Sequence, residues 1–360
     1  MKRENWVDAC KGIAIIAVVI GHLDYEYPEI RLLPISTLIA WLWHVAVFFM
    51  IGGFFLKEER LLHPKSFIWG KVKKLYLPIL YLYIPAILLH NYLIDIGYYN
   101  TSIEYGGKHV AYWSFPQYLR GLAEAVFCAG REPILGAMWF VYVLFMSLCF
   151  ISFTFFLIKG IGTKHYNEIR CIVLLLAAIA ANFLTNIYGF TIPRFNNVFT
   201  AAWLIYVGML LVQRYKVSFD NTFVFVICLF FFYSFAVLLG DVHLNRNEYR
   251  DVASLTISTC SAMYIVAYIS KKCHGIVMDV LSVVGRESFY IMGLHFIAFK
   301  FGSLFLNLFN HNKNIALLNP ECGNMAEYFY YLFCGVTLPM LFIVIFRGIK
   351  TKMLKAITRP

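Results

Sequence analysis

The segment GIAIIAVVIG, residues 12–21, is an apolar run typical of a membrane-crossing helix, and two ionisable residues flank it, Lys11 and His22. Eleven residues make about three α-helical turns, so both side chains lie on one face, about 16 Å apart along the axis. Ionisable groups at membrane depth are costly and by default face a bundle interior or a polar cavity. The pair therefore predicts a first membrane helix that carries a functional path.

The composition of the whole chain is that of a polytopic membrane protein. Of its 360 residues, 61% are hydrophobic and only 14% are charged, which lies outside the range of ordinary soluble domains. The 34 Phe and 24 Tyr residues fit lipid-facing helices and aromatic belts at the membrane interface. The formal charge of +11 does not indicate a nucleic-acid partner, because the cations cluster at the ends of apolar segments. The expected surroundings are membrane lipids.

Hydrophobic segments long enough, or nearly long enough, to cross a bilayer predict an all-α integral membrane protein with about ten transmembrane helices. An even number of crossings places both termini on the same side. The expected spans lie near residues 9–24, 38–56, 75–93, 138–158, 169–187, 198–213, 221–240, 251–270, 288–309 and 325–346.

The basic residues predict which side the termini occupy. They fill alternate loops and the C-terminal tail, whereas the opposite loops are acidic or mixed, so we expect both termini in the cytoplasm. The longest outside segment is then residues 94–137, where SFPQYLRGLAEAVFCAG (114–130) predicts a surface or re-entrant helix that acts as a lid. We interpret residues 1–360 as a single membrane domain. The cations that set the orientation are Lys57, Arg60, Lys65, Lys71, Lys73, Lys74, Lys159, Lys164, Arg214, Lys216, Lys271, Lys272, Arg347, Lys350, Lys352 and Lys355.

The nine cysteines are scattered singly along the chain, without CxxC or ligand-like spacing. This pattern predicts neither a disulfide framework nor a metal site.

Four segments along the chain carry a resemblance to a known family: NWVDACKGIAIIAVVIGH (5–22), WHVAVFFMIGGFFL (43–56), MWFVYVLF (138–145) and GRESFYIMGLH (285–295). Together they resemble the transmembrane acyltransferase-3 family, whose signature is a basic residue, ten intervening residues and a histidine. Lys11 and His22 have that spacing. In the family a serine commonly precedes the glycine of the second segment. Gly52 takes that place here, so no hydroxyl role is carried over.

The resemblance implies a bacterial inner-membrane O-acyltransferase, most simply an O-acetyltransferase. Its donor would be acetyl-CoA from the cytosol, and its acceptor a hydroxyl of a surface glycan or a lipid-linked sugar. Acyl transfer to a hydroxyl needs a base, and histidine titrates in the right range, so His22 is the candidate. Asp24 is the candidate carboxylate to orient the imidazole if the helix ends at His22. The acceptor sugar and the oligomeric state stay open.

Basic side chains predict where the donor phosphates bind. Lys11, near the cytoplasmic end of the first helix, and the cluster Lys71, Lys73 and Lys74 would form a basic mouth for acyl-CoA. The alternative for Lys11 is an interfacial lysine whose ammonium reaches the lipid headgroups.

Five further residues are candidates for binding the acceptor, each with a structural alternative. His44 and His295 are polar residues inside apolar helices. For His295, a polar contact between two helices explains the sequence equally well. For His44, a position at the membrane interface or beside a functional residue is the more common explanation. Trp139 suits stacking on a sugar face or a place in an aromatic belt. Arg131 and Glu124 are loop or surface charges that either contact acceptor hydroxyls or are simply solvated.

Two other functional classes fit a polytopic chain. A transporter or exporter of a glycan or lipid would use Lys11, His22 and His295 to line a translocation path, although the two related halves common in carriers are not visible. A membrane sensor or scaffold is the third possibility. No GxSxG elbow, P-loop, HExxH or dinucleotide fingerprint stands in a suitable context.

Overall fold

The computed structural model describes residues 4–28, 32–130, 132–162, 164–192 and 194–357, with side chains as far as residue 349. Within these ranges the chain is all-helical, and β-structure is limited to three isolated bridges. The α-helices are α1 Asn5–Ile20, α2 His44–Phe54, α3 Glu58–Leu61, α4 Pro64–Lys71, α5 Leu77–Leu88, α6 His90–Asp95, α7 Phe115–Val126, α8 Trp139–Gly160, α9 Tyr166–Asn186, α10 Phe195–Met209, α11 Thr222–Leu239, α12 Val252–Lys272, α13 Gly275–Arg286, α14 Ser288–Asn307 and α15 Met325–Ile357.

Eight helical segments in the described part of the chain are long and apolar enough to cross a membrane. They correspond to eight of the ten expected spans, so the count of ten is not confirmed. The other two expected spans are not among these eight segments. Near 9–24, α1 has only 16 residues; near 75–93, α5 continues from α4 through the lysine-bearing π-helical turn Val72–Tyr76 and gives way to α6. A 16-residue helix is about 24 Å long, less than the hydrocarbon thickness of a typical bilayer.

α1 is short because the chain leaves the α-helix at its end. The His22 amide donates to the Val19 carbonyl at 3.1 Å, and the Leu23 amide donates to Ile20 at 3.0 Å, which are tighter turns than the α-helical pattern. Two residues later, Asp24 forms a parallel bridge with Glu321. The backbone at the end of α1 thus joins a loop from the far end of the chain.

α1 lies in the interior of the bundle. Ten of its sixteen residues are buried, and it packs on α2, α12, α13, α14 and α15. Its closest approach is to α13, where a Cβ added at Gly12 would overlap the backbone carbonyl of Leu281. Glycine is required there because the two backbones are in contact.

The glycine pair of the second segment has two different environments. A Cβ added at Gly53 would overlap the Ile205 carbonyl of α10, whereas one at Gly52 would meet only side chains, the nearest being Leu144 at 3.5 Å. The close helix approach predicted for this pair therefore rests on Gly53.

The segment between α6 and α8 contains the predicted amphipathic helix, α7. Its first turn has a capping box in which the Ser114 amide donates to the Gln117 side chain at 2.7 Å. α7 packs on α5, and its other side leaves Phe115, Leu119 and Phe127 exposed. Two turns of 3₁₀-helix, Pro133–Met138, with a kink at Leu135, then lead into α8.

Candidate functional site

A pocket lies beyond the end of α1, with an empty volume of about 580 Å³ including its open mouth. Five parts of the chain build it: the end of α1, the start of α2 with the preceding π-helical turn Thr37–Trp41, the start of α8, the loop after α11, and α14. Such π-helical turns are rare and occur often at functional sites. Polar and aromatic side chains in the lining are His22, Trp41, Trp43, His44, Trp139, Phe140, His243 and Asn245.

His22 is half-buried in this pocket and is surrounded by rings. The His295 imidazole stacks on it with centroids 5.1 Å apart and planes inclined by 27°. Phe296 meets it edge-on at 4.8 Å, and Trp41 at 6.4 Å. The Asn319 side chain lies next to the His22 imidazole. The imidazole is therefore held on several sides while still facing the cavity.

His44 and His295 each have a fixed tautomer. In each ring Nδ1–H donates to the backbone carbonyl four residues earlier: His44 to Ala40 at 2.5 Å and His295 to Ile291 at 2.9 Å. Since a backbone carbonyl only accepts, Nε2 is left as a bare acceptor in the neutral ring. The Nε2 of His295 is buried and has no hydrogen-bond partner among the described residues.

Asp24 does not join this arrangement. Its side chain is exposed. Its backbone pairs with the loop before α15, where the Asp24 amide donates to Pro320 at 3.1 Å and its carbonyl accepts from Cys322 at 2.8 Å. The position predicted for an orienting carboxylate is occupied instead by the amide of Asn319.

Lys11 lies three helical turns before His22, and its ammonium is not a free charge. It pairs with Asp8 of the same helix at 3.3 Å and lies 4.9 Å from the centre of the Phe55 ring. The Asp8 side chain is buried, whereas that of Lys11 is 25% exposed. The Lys11 side chain therefore extends toward the surface, and the buried carboxylate of Asp8 balances its charge.

The basic cluster of Lys71, Lys73 and Lys74 lies at the π-helical turn Val72–Tyr76 between α4 and α5. Lys73 and Lys74 are exposed, and Lys71 is partly buried. Burial lowers the pKa of Lys71, and the nearby charges of Lys74 and Arg60 lower it further. Lys71 and Lys73 lie over the rings of Phe67 and Trp69, and none of the three lysines has an ion-pair partner in the described part of the chain.

The remaining candidates differ in their relation to the pocket. Trp139 lines it. Glu124 is on α7, which contributes no lining residue, and it forms an ion pair with Arg120 at 3.1 Å. α7 therefore does not cover the pocket as a lid, because its packing partner is α5. Arg131 lies outside the described residues.

A separate buried cluster stands next to the pocket in the loop before α8. The Glu132 carboxylate accepts from the Tyr99 hydroxyl at 2.6 Å and from His90 at 3.1 Å, and it is almost fully buried. The other nitrogen of His90 faces the Ala111 carbonyl at 3.1 Å. Burial raises the pKa of Tyr99, and the Glu132 charge adds to this effect. These contacts hold residues 90–132 against the start of α8.

Two pocket residues, Trp41 and His243, and the neighbouring Asn319 have no counterpart in the sequence motifs. Trp41 lies between His44 and His243, each with a ring-centroid distance of 5.6 Å. His243 comes from the loop after α11, and Asn319 from the loop after α14. The sequence signal for Trp41 is its place three residues before His44, one helical turn away. The two loop residues carry no such signal.

Within the described residues, no group of three or more His, Cys, Asp or Glu side chains is arranged to hold a metal ion.

Comparison with known proteins agrees with the pocket chemistry. A family model described as an acyltransferase domain, of the acyltransferase-3 type, matches residues 4–347. No curated protein and no solved structure matches the chain. The family match does not support the transporter alternative. With its eight membrane-compatible helices, the chain belongs to the acyltransferase-3 family of membrane acyltransferases.

Proposed function

We propose that the protein transfers an acetyl group from acetyl-CoA to a hydroxyl of a surface glycan or a lipid-linked sugar, with His22 as the base. The observation that carries this proposal is the pocket itself. It places a half-buried imidazole among two further imidazoles and three tryptophans beyond the end of α1. Lys11 lies on α1, eleven residues before His22 in the sequence.

In the proposed reaction the acceptor hydroxyl oxygen attacks the thioester carbonyl carbon. His22 takes the hydroxyl proton as the new C–O bond forms. The C–S bond then breaks, and the proton passes to the departing thiolate, so that the products are an acetyl ester and free CoA. Transfer through an acetyl-histidine would use the same ring nitrogen as a nucleophile.

The donor binds through its phosphates at the basic side chains. Lys71, Lys73 and Lys74 offer charge that other groups do not balance, and Lys11 would exchange its partner Asp8 for a phosphate or share it. The distance between Lys11 and His22 is comparable to an extended pantetheine arm. The thioester would thus reach the pocket while the nucleotide stays at the other end of α1.

The acceptor enters through the open mouth of the pocket. Trp41 and Trp139 present apolar ring faces that suit sugar C–H groups, and His44 and His243 in the lining offer nitrogen atoms for hydroxyls. His295 stacks on His22 behind the lining and has a buried Nε2 without a hydrogen-bond partner among the described residues. Arg131 stays a candidate from sequence alone, and Glu124 is the weakest of the set.

We propose that both termini and the basic cluster face the cytoplasm of a bacterial inner membrane, and that the pocket opens to the outside. The support is the distribution of cations between alternate loops. This orientation supplies cytosolic acetyl-CoA at the Lys11 end and the glycan at the His22 end.

The test uses membrane vesicles that contain the full-length protein, given acetyl-CoA labelled in the acetyl group. Label should enter the glycan or lipid-linked sugar fraction, and His22→Ala should lower the rate by about 100- to 10,000-fold, the usual contribution of a general base. His274→Ala, at an exposed histidine outside the pocket, is the matched control and should keep the rate. Full transfer by His22→Ala would refute the proposal.

Donor binding separates the enzyme from a carrier. Acetyl-CoA should raise the melting temperature of the purified wild-type protein, and Lys11→Ala should remove most of that increase. A protein that acetyl-CoA does not stabilise would not be using it as donor.

A further inference from the structure

The loop between α14 and α15, residues 308–324, runs beside the end of α1. Asp24 forms an isolated parallel bridge with Glu321. Two hydrogen bonds hold the bridge: Asp24 N–H donates to Pro320 O at 3.1 Å and Cys322 N–H donates to Asp24 O at 2.8 Å. Backbone pairing therefore keeps residues 320–322 beside the end of α1, where the Asn319 side chain lies next to the His22 imidazole.

A buried lysine holds the other end of the same loop. The Lys300 ammonium, on α14, donates to the carbonyls of Ile315 at 2.8 Å, Ala316 at 3.2 Å and Leu317 at 3.3 Å. It also donates to the Tyr98 carbonyl at 2.7 Å. Lys300 is only 1% exposed. Residues 315–322 are therefore fixed at both ends, with Asn319 between the two attachments.

The side chain that this loop places next to His22 is thus an amide on a segment held at both ends. We propose, resting on the function proposed above, that Asn319 is a positioning residue that sets the ring orientation and tautomer of His22, a task for which the sequence had suggested Asp24. An amide oxygen that accepts from one ring nitrogen keeps the proton there and leaves the other nitrogen as the base.

An amide differs from a carboxylate in what it does to the charge on the ring. A carboxylate beside an imidazole stabilises the imidazolium, which cannot accept another proton. An amide orients the ring without a full negative charge. The structure thus assigns to Asn319 an orienting function that leaves His22 neutral over a wider pH range.

Asn319 is exposed, so its replacement leaves no cavity in the core. In the vesicle assay, Asn319→Ala should lower kcat by about 10- to 100-fold, the order of effect of a misplaced catalytic group. The KM for acetyl-CoA should stay unchanged, because the residue lies away from the donor phosphates. The matched control is Asn312→Gly, an exposed asparagine of the same loop whose φ of 51° suits glycine.

Asn319→Asp gives the more specific result. The isosteric carboxylate should keep much of the maximal rate, while the acidic limb of the pH–rate profile moves to higher pH by about one unit. A purely structural role for Asn319 would not move that limb. An unchanged kcat in Asn319→Ala together with an unchanged limb in Asn319→Asp would overturn the proposal.

A second measurement does not depend on activity. Diethyl pyrocarbonate modifies accessible neutral imidazole nitrogens, and peptide mass spectrometry reports the modification of His22 separately from the other histidines. His22 should react several-fold faster in Asn319→Ala than in the wild type or Asn312→Gly. Equal His22 reactivity in all three would overturn the inference even if wild-type vesicles transferred no acetyl group, whereas loss of transfer alone would refute only the proposed function.

Discussion

Lys300→Met tests whether one buried ammonium holds the loop before α15 in place. Methionine keeps the length and much of the packing of lysine but removes every N–H donor. Two of the four bonds are short, to Tyr98 at 2.7 Å and Ile315 at 2.8 Å. Hydrogen bonds from a charged donor contribute about 1.5–3 kcal/mol each, so the gross loss is about 3–6 kcal/mol.

Part of that loss is recovered, because the ammonium no longer has to be buried. The partly buried carbonyls of Ile315 and Leu317 nevertheless lose this donor, which costs about 1–3 kcal/mol per group. The Ala316 carbonyl keeps the Tyr105 hydroxyl as a donor at 2.9 Å. We therefore expect a net destabilisation of about 3 kcal/mol, or a fall in melting temperature of roughly 5 °C. Thermal unfolding of the detergent-purified protein measures it.

Lys313→Met is the matched control in the same loop. Lys313 pairs with Glu327 at 2.7 Å, and both side chains are partly exposed, so its loss should cost about 0–1 kcal/mol. If Lys300→Met lowered the melting temperature no more than Lys313→Met, the four-carbonyl contact would contribute nothing net, and the reasoning would be wrong.

Two further predictions concern packing and pH. Gly53→Ala should lower the melting temperature markedly because its methyl group meets the Ile205 carbonyl, while Gly52→Ala, which meets only side chains, should change it little; similar effects from both would contradict the observed helix contact. The Lys271 ammonium, which donates to Asp220 at 2.8 Å, holds the pKa of that carboxyl below its usual value of 3.8. Its stabilising effect is therefore present above pH 3.8 and lost as the pH falls through the lower native pKa. Asp220→Asn should flatten the acid limb of melting temperature against pH, and an unaltered limb would exclude this contribution.

Most of the membrane architecture could be predicted from hydrophobic segments, because bilayer thickness sets the length of an apolar helix. The prediction of ten spans failed to be confirmed at α1 and α5. At α1 the apolar run continues to Gly21, but the backbone turns away at His22 to pair with residues near 321. At α5 the helix contains Pro85 and ends at Leu88. The local composition shows neither the segment near residue 321 that pairs with the end of α1 nor the turn that follows α5.

The pocket was predictable where its residues lie on helices within the recognised segments. Three of them line the same pocket: His22, His44 and Trp139. The fourth, His295, stacks on the His22 ring. Asp24 was expected at His22 only because it is near in sequence, and the change from helix to bridge separates the two side chains.

Loop residues were missed because tertiary contacts alone place them. The loop that carries His243 is held by Asn247, a buried residue with φ of 61° whose side chain accepts from Thr200 at 2.8 Å. A second contact joins the Asn197 side chain to the Leu244 carbonyl. These partners are about fifty residues away in sequence, beyond the range of any local motif.

The bridge between the end of α1 and the loop before α15 also constrains the order of biosynthesis. Asp24 and Glu321 are paired in space, and Tyr27 and Tyr328 contact each other through their hydroxyls at 3.0 Å, yet nearly the whole chain must be made between them. His22 therefore lacks its neighbours on α14 and the following loop until the last helices have left the ribosome. A nascent chain released before α14 would contain the complete basic-residue-to-histidine motif and still lack these neighbours of His22.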